Sequence, residues 1–435
     1  MKLTWTAPED LVAHALVQAA DEDVDVSDLA ARWSAAGGST VPDRNGAGPP
    51  VPTDVARLAA RLLDDIDSRS ADTTALAPVP ELPRLPATVS FDRVRGAWLG
   101  RAIGCVLGKP VEKLPREGVR AIAEATGNWP ITAYFTANGL PDDVAARWPW
   151  NRRSRSTSLA ETIEGIPEDD DLNFTMLALR LVEQHADNLS VEHVAQAWLD
   201  NLPAGRVFTA ERVVYRNLLT GLPAARAADV RNPFREWIGA QIRADLYGWA
   251  RPGDPSAAAR LVDRDAILSH RRDGVYGARW VAAMSAAAFA CSDVDTVVDV
   301  GLAVVPPESR LATAVRFGVR TARAGLPVDD ALDRLQSEYG HLHWVHVLNN
   351  AALVAFALIA GRGELTASIG LAVAGGWDTD SDGATVGAVC GALSGADALP
   401  EHWTKPLGER FRTSLPGFGH ITVDELTERT LALST

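Results

Sequence analysis

The sequence predicts an all-α protein. Hydrophobic residues recur at helical spacing in almost every readable segment, no strand ladder is evident, and two stretches rich in glycine and small residues read as buried helices. With 435 residues and 47% hydrophobic content, the chain can bury one large core or two domains. Its 42 basic and 56 acidic residues give a net charge of −14, which argues against broad nonspecific attraction to nucleic acid. Nothing in it reads as a membrane span. Cys105, Cys291 and Cys390 lie far apart in apolar or small-residue surroundings, as reduced core residues do. With no signal peptide in view, that usage predicts a cytoplasmic protein.

Residues 1–86 are expected to form a helical N-terminal extension, with helices near 9–20 and 24–33 and a third marked by Val55, Leu58, Leu62 and Ile66. Pro-rich stretches at 41–53 and 78–86 frame that third helix, and the second reads as a stiff connector into a main domain of residues 87–435. Phe91 to Gly108 is a glycine-spaced helix ending in a turn that presents Glu112. Residues 127–158 carry little periodicity and include Trp148-Pro149-Trp150-Asn151-Arg152-Arg153. Tryptophan and arginine in so long a loop either meet an adenine ring or a phosphate, or simply pin the loop to the core. Further on, helical period runs over 191–219, 277–290, 293–304 and 312–323, and a last helix is expected over 423–431.

Two acidic clusters carry the chemistry. Glu168-Asp169-Asp170-Asp171 opens a helix whose Phe174, Leu177, Ala178 and Leu181 share one stripe while Leu172, Met176, Leu179 and Val182 fill much of the rest. One helix cap needs one carboxylate, and four acids at the mouth of a buried helix repel one another, so a cation is a natural neutraliser; a solvated charge run is the alternative. The second cluster, Gly375-Gly376-Trp377-Asp378-Thr379-Asp380-Ser381-Asp382-Gly383, sets three carboxylates at alternate positions before a small-residue helix. Oxygen donors this dense favour Mg²⁺, Mn²⁺ or Ca²⁺ over Zn²⁺, although capping and turn chemistry alone would use the same residues. His343 and His346, three apart, raise a zinc-binding alternative on a helix face, but no H-E-x-x-H pattern accompanies them.

Taken in order, the glycine-spaced helix with its Glu, the D-D-D cluster and the G-G-W-D-T-D-S cluster resemble the ADP-ribosylglycohydrolase family, whose members include the dinitrogenase reductase-activating glycohydrolase. The resemblance covers roughly residues 90 to 430. It implies an orthogonal all-α bundle in which both clusters meet in one cleft and bind two divalent cations, Mg²⁺ or Mn²⁺. The implied metal ligands are Glu112, Asp169, Asp170, Asp171, Asp378, Asp380 and Ser381, with Glu112 and Asp171 as the leading catalytic bases. Asp169 stands where the family pattern has Thr, and Cys105 where it has Asp. Substrate contacts are expected from Gly239, Gln241 and Arg243, although residues 232–245 depart from the glycine-rich phosphate loop of better-known branches. His270 resembles the family's substrate-side histidine, and Asn349 is expected to line the pocket or to bond residues that do.

The implied reaction is hydrolysis of the bond between the anomeric ribose carbon and a leaving group, with ADP-ribosylated protein or a small ADP-ribose conjugate as substrate. Hydrolysis of another ribosyl or nucleoside-type metabolite, or ADP-ribose binding without turnover, are the alternatives. No membrane partner and no general nucleic-acid partner is expected.

Overall fold

Glycine decides how the central helices meet. In a computed structural model describing residues 3–44, 46–70 and 75–433, helix Phe91–Gly108 lies antiparallel against helix Thr379–Ser394 with their backbones nearly touching. A Cβ added at Gly96, Gly100 or Gly104 would land on the carbonyl oxygen of Gly391, Gly387 or Gly383 respectively, and additions on the opposite helix would strike back. At the end of the row Gly108 meets Thr379, whose hydroxyl donates to the Gly108 carbonyl at 2.9 Å. This antiparallel register delivers the residues that follow Gly108 to the start of the second helix.

Among the described residues, twenty α-helices and six 3₁₀ helices account for the regular structure, and there is no strand, only the isolated bridges Ile166–Phe411 and Arg410–Thr422. The all-α expectation therefore holds. The helices expected near the N-terminus occupy Pro8–Asp21, Ser27–Ala35 and Thr53–Arg69, and the last one runs Val423–Leu433. Two stretches are resolved further. The helical pattern over 191–219 breaks into Val191–Asn201 and Thr209–Leu219, because Pro203 lacks the amide and the room an uninterrupted helix requires. The aperiodic stretch 127–158 contains a short helix, Asp142–Arg147.

The chain divides into two compact units. The smaller combines residues 1–78 with 189–240 and 264–275. Within it Trp5 sets its ring edge-on against Phe234 at 5.4 Å and Trp237 at 6.0 Å, and Arg231 grips both carboxylate oxygens of Asp64 at 2.7 Å. Arg235 holds Glu22 in the same two-pronged way, Nε donating to Oε1 at 3.1 Å and Nη2 to Oε2 at 2.7 Å, a geometry that matches the planar guanidinium to a carboxylate.

The larger unit comprises residues 79–188, 241–263 and 276–435 and contains the glycine-paired helices. Its Pro-rich leading segment lies against 253–256, with the Leu85 amide on the Gly253 carbonyl at 2.7 Å and the Leu82 amide on Ser256 Oγ at 2.9 Å. Helix Asp170–His185 buries Leu172, Phe174, Met176, Leu177, Leu179, Leu181 and Val182, as its apolar stripes predict. Arg101, fully buried on the first glycine helix, ties the start of this helix down: it donates to the Asp171 carbonyl at 2.8 Å, to the Ile242 carbonyl and to the Asp245 carboxylate.

Candidate active site

Three chain segments converge at the end of the glycine row, all within the larger unit. Past Gly108 the chain makes one 3₁₀ turn, Lys109–Val111, and then presents Glu112. Opposite, Gly376 and Trp377 both adopt positive φ, +75° and +63°. A left-handed tryptophan is strained, and burial of its ring to 7% exposure holds it there. The corner aims Asp378 and Asp380 at Glu112, and oxygens of all three lie within 4.8 Å of one another. The third segment supplies Asp169 as N-cap of helix Asp170–His185, its Oδ1 accepting the Asp171 amide at 3.0 Å.

Asp169 and Asp171 form a second close group with the Cys105 thiol. The two groups are linked directly, because Ser381 Oγ donates to Asp171 Oδ2 at 3.3 Å across 210 residues of sequence. Glu112, Asp378, Asp380, Ser381, Asp169 and Asp171 are thus all brought to one locus, and Asp170 lies close enough to feel the charges of Asp169, Asp380 and Glu112.

The polar scaffold around them went largely unread in the sequence. Asn151, from the aperiodic loop, donates to Glu112 Oε2 at 2.5 Å, and Lys113 lies 3.3 Å from Oε1. Trp150 is buried and anchors that loop in the core, and the half-buried Trp148 ring covers Gly118. Asn350 accepts the Asp378 amide at 3.2 Å while its own Nδ2 holds the Trp344 and His346 carbonyls at 2.9 and 2.7 Å. Lys109 donates to Asp169 Oδ2 and, at 3.1 Å, to the Glu168 carbonyl.

His343 and His346 do not share a helix face, contrary to the zinc alternative. His346 is the N-cap of helix Val347–Ala360, with Nδ1 accepting the Leu348 amide at 3.2 Å, and His343 precedes the helix. Asn349 is fully buried and donates to the His343 carbonyl at 3.2 Å. Gln241 is fully buried too, and neither its carboxamide oxygen nor its nitrogen has a hydrogen-bond partner among the described residues. Arg243, also in the larger unit, lays its guanidinium over the Phe174 ring at 5.3 Å. Gly239 and His270 belong to the smaller unit, where Gly239 gives room to the Glu211 carboxylate and His270 Nδ1 pairs with Ser269 Oγ at 2.7 Å.

So many buried carboxylates raise one another's affinity for protons. Burial, then the charges of Glu112 and Asp169, push Asp380 up to about 8. Burial first and neighbouring acids second hold Asp170, Asp171, Asp378 and Asp382 well above the ordinary carboxylate range. Burial would raise Asp169 as well, but the Lys109 ammonium outweighs it and brings the carboxyl below its ordinary value. The same burial keeps the Cys105 thiol protonated. A dense set of oxygen donors with too few protein cations suits a hard divalent ion, which would replace protons as the neutralising charge.

A consequence for stability follows. A carboxyl whose folded pKa exceeds its unfolded value binds protons more tightly when native, so stability is lost as pH rises between the two values. For Asp380 that window runs from 3.8 to about 8. Chelator-treated protein should therefore melt lower at about pH 8.5 than at about pH 6, and saturating Mn²⁺ should narrow the gap. Thermal melts at both pH values check this, and a higher melting temperature at the alkaline value without metal contradicts it.

Comparison with known proteins identifies the family. An uncharacterised protein of Archaeoglobus fulgidus is 24% identical over 326 residues, covering 73% of this chain and 92% of the relative. A solved structure described as an ADP-ribosylglycohydrolase-related protein complex is similar at 21% identity and a TM-score of 0.49, covering 79% of this chain and 97% of its own. Residues 86–434 match the family model described as ADP-ribosylglycohydrolase. The chain belongs to the ADP-ribosylglycohydrolase family.

Proposed function

We propose that the cleft hydrolyses the ribosyl glycosidic bond of an ADP-ribosylated protein or a small ADP-ribose conjugate with the help of bound Mg²⁺ or Mn²⁺. The observation that carries this reading is the convergence of carboxylates from distant helix starts on one locus, joined by the Ser381–Asp171 bond. Glu112, Asp378 and Asp380, with Asp170 beside them, would hold the ion. Such an ion supplies Lewis acidity, orienting the ribose hydroxyls and stabilising negative charge as it develops.

The chain's own residues supply the rest. Water attacks the anomeric carbon, the bond to the leaving group breaks, and the proton released by water passes to a carboxylate, from which, through solvent, it reaches the leaving group. Glu112 suits the role of acceptor better than Asp171. It is partly open to solvent and oriented by Asn151 and Lys113, whereas Asp171 is occupied by Ser381 and faces Arg101. A base of this kind contributes about 10²–10⁴ in rate.

Gln241 is the best supported of the substrate-side residues, because a buried carboxamide without a partner costs free energy that a bound ligand would recover. Arg243 and Asn349, of the same unit, complete the proposed substrate contacts. Residues 1–86 act in this reading as a helical extension of the catalytic domain of residues 87–435. No helix among the described residues is long and apolar enough to cross a membrane, and we place the enzyme in the cytoplasm.

A second reading, hydrolysis of another ribosyl or nucleoside-type metabolite, is favoured by the segment Ile238–Arg243. It folds as a 3₁₀ helix where better-known branches have a glycine-rich diphosphate loop. Calorimetric titration of ADP-ribose decides between the two. Saturable binding that requires Mg²⁺ and is lost in Asp378→Ala supports the ADP-ribose reading. Metal binding without affinity for ADP-ribose transfers the assignment to the second.

A further inference from the structure

We infer that this site takes a single divalent ion, and that the Lys109 ammonium permanently fills the place of a second one. The inference rests on the metal-dependent reading above and fixes the number of ions it involves.

The two carboxylate groups differ in what already faces them. In the group of Cys105, Asp169 and Asp171, three of the four carboxylate oxygens accept hydrogen bonds from the protein, and the fourth faces a guanidinium without one. Asp169 Oδ1 accepts the Asp171 amide at 3.0 Å, and Asp169 Oδ2 takes the Lys109 ammonium. Asp171 Oδ2 accepts from Ser381 at 3.3 Å, and Asp171 Oδ1 lies 3.7 Å from the Arg101 guanidinium. Cys105 offers only a buried thiol, a soft donor that a hard cation does not choose.

Lys109 cannot swing aside. It sits in the 3₁₀ turn directly after Gly108, whose backbone is pressed against Thr379, and it is 6% exposed. Its ammonium also donates to the Glu168 carbonyl at 3.1 Å, which fixes it on the N-terminal side of helix Asp170–His185. A divalent ion entering beside Asp169 would meet a buried positive charge already in contact with its ligand.

The group of Glu112, Asp378 and Asp380 is different. Lys113 approaches it, 3.3 Å from Glu112, and that side chain is 46% exposed. One ion from solution and the buried Lys109 ammonium thus stand where two divalent ions would otherwise be needed.

The test is ion counting on chelator-stripped full-length protein reloaded with Mn²⁺, read by native mass spectrometry and electron paramagnetic resonance. Wild type should bind one Mn²⁺ per chain and give the spectrum of an isolated ion. Lys109→Ala should bind two, with the altered spectrum of a magnetically coupled pair. Should Lys109→Ala fail to fold, Lys109→Gln keeps a hydrogen-bond donor to Asp169 without the charge and should also bind two. Two ions on wild type overturn the inference and leave the metal-dependent reading standing. One ion on wild type and on the folded Lys109 variant also overturns it, since the ammonium would then not be what excludes the second. No Mn²⁺ on any of the proteins overturns the metal-dependent reading itself, and the inference with it.

Discussion

Gly104→Val yields little or no folded protein, and Gly104→Ala lowers stability by about 3 kcal/mol, at the upper end of what an extra buried methyl group costs. A Cβ on Gly104 falls on the carbonyl of Gly383, a backbone atom in a helix that is itself pressed back by Gly104. Side chains yield to overpacking by changing rotamer, but two helix backbones in contact yield only by moving apart. Separation would also draw Glu112 away from Asp378 and Asp380, so the alanine variant should bind Mn²⁺ more weakly as well as melt lower. Gly205 provides the comparison, since it is exposed and a Cβ there meets nothing within 4 Å. Urea unfolding of Gly104→Ala and Gly205→Ala measures the difference. Equal midpoints would mean that the helix contact does not constrain the fold.

Asp380→Asn should stabilise the metal-free protein and abolish turnover together. Asp380 is buried beside Glu112 and Asp169, the setting that lifts it to about 8, and asparagine removes the charge at almost constant shape. Relief of that repulsion is expected to contribute about 0.5–2 kcal/mol above neutral pH, the usual yield of one stabilising change. The same change deletes an anionic ligand from the Glu112–Asp378–Asp380 group. Losing several kcal/mol of transition-state stabilisation corresponds to roughly 10³-fold or more in rate. A residue that serves folding alone would move stability the other way. Melting of chelator-treated wild type and variant gives the first half, and an Asn variant that melts lower would show that the carboxylate is a structural element.

What the sequence discloses here is mostly local. Each acidic cluster stands immediately before an apolar or small-residue run, so both helix starts are readable from residues a few positions apart, as is the turn carrying Glu112. Four-residue spacing of Gly96, Gly100 and Gly104, and of Gly383, Gly387 and Gly391, is equally plain in each helix. Their pairing is not, because nothing within either helix says which residue it will touch. Lys109 and Arg101 escaped for a related reason. A lysine after a glycine ordinarily reads as solvated, and only the fold shows that Lys109 ends against Asp169 and Arg101 against Asp245. Asn151 lies in a stretch without periodicity, so no pattern marked it as the partner of Glu112. Pro203 marks where the helical pattern over 191–219 divides, and the apolar period on either side does not show that break.

The site is proposed to sever a ribosyl bond with a metal held by Glu112, Asp378 and Asp380, and that claim is tested most directly by product release. Wild-type protein and Asp380→Asn would be incubated with a panel of ADP-ribosylated peptides and small ADP-ribose conjugates, with Mg²⁺ or Mn²⁺ and with chelator, and free ADP-ribose measured by mass spectrometry. The account predicts release from at least one substrate by the metal-loaded wild type, none above background with chelator, and none from the variant. Equal release by wild type and Asp380→Asn, or release unaffected by chelator, would contradict it.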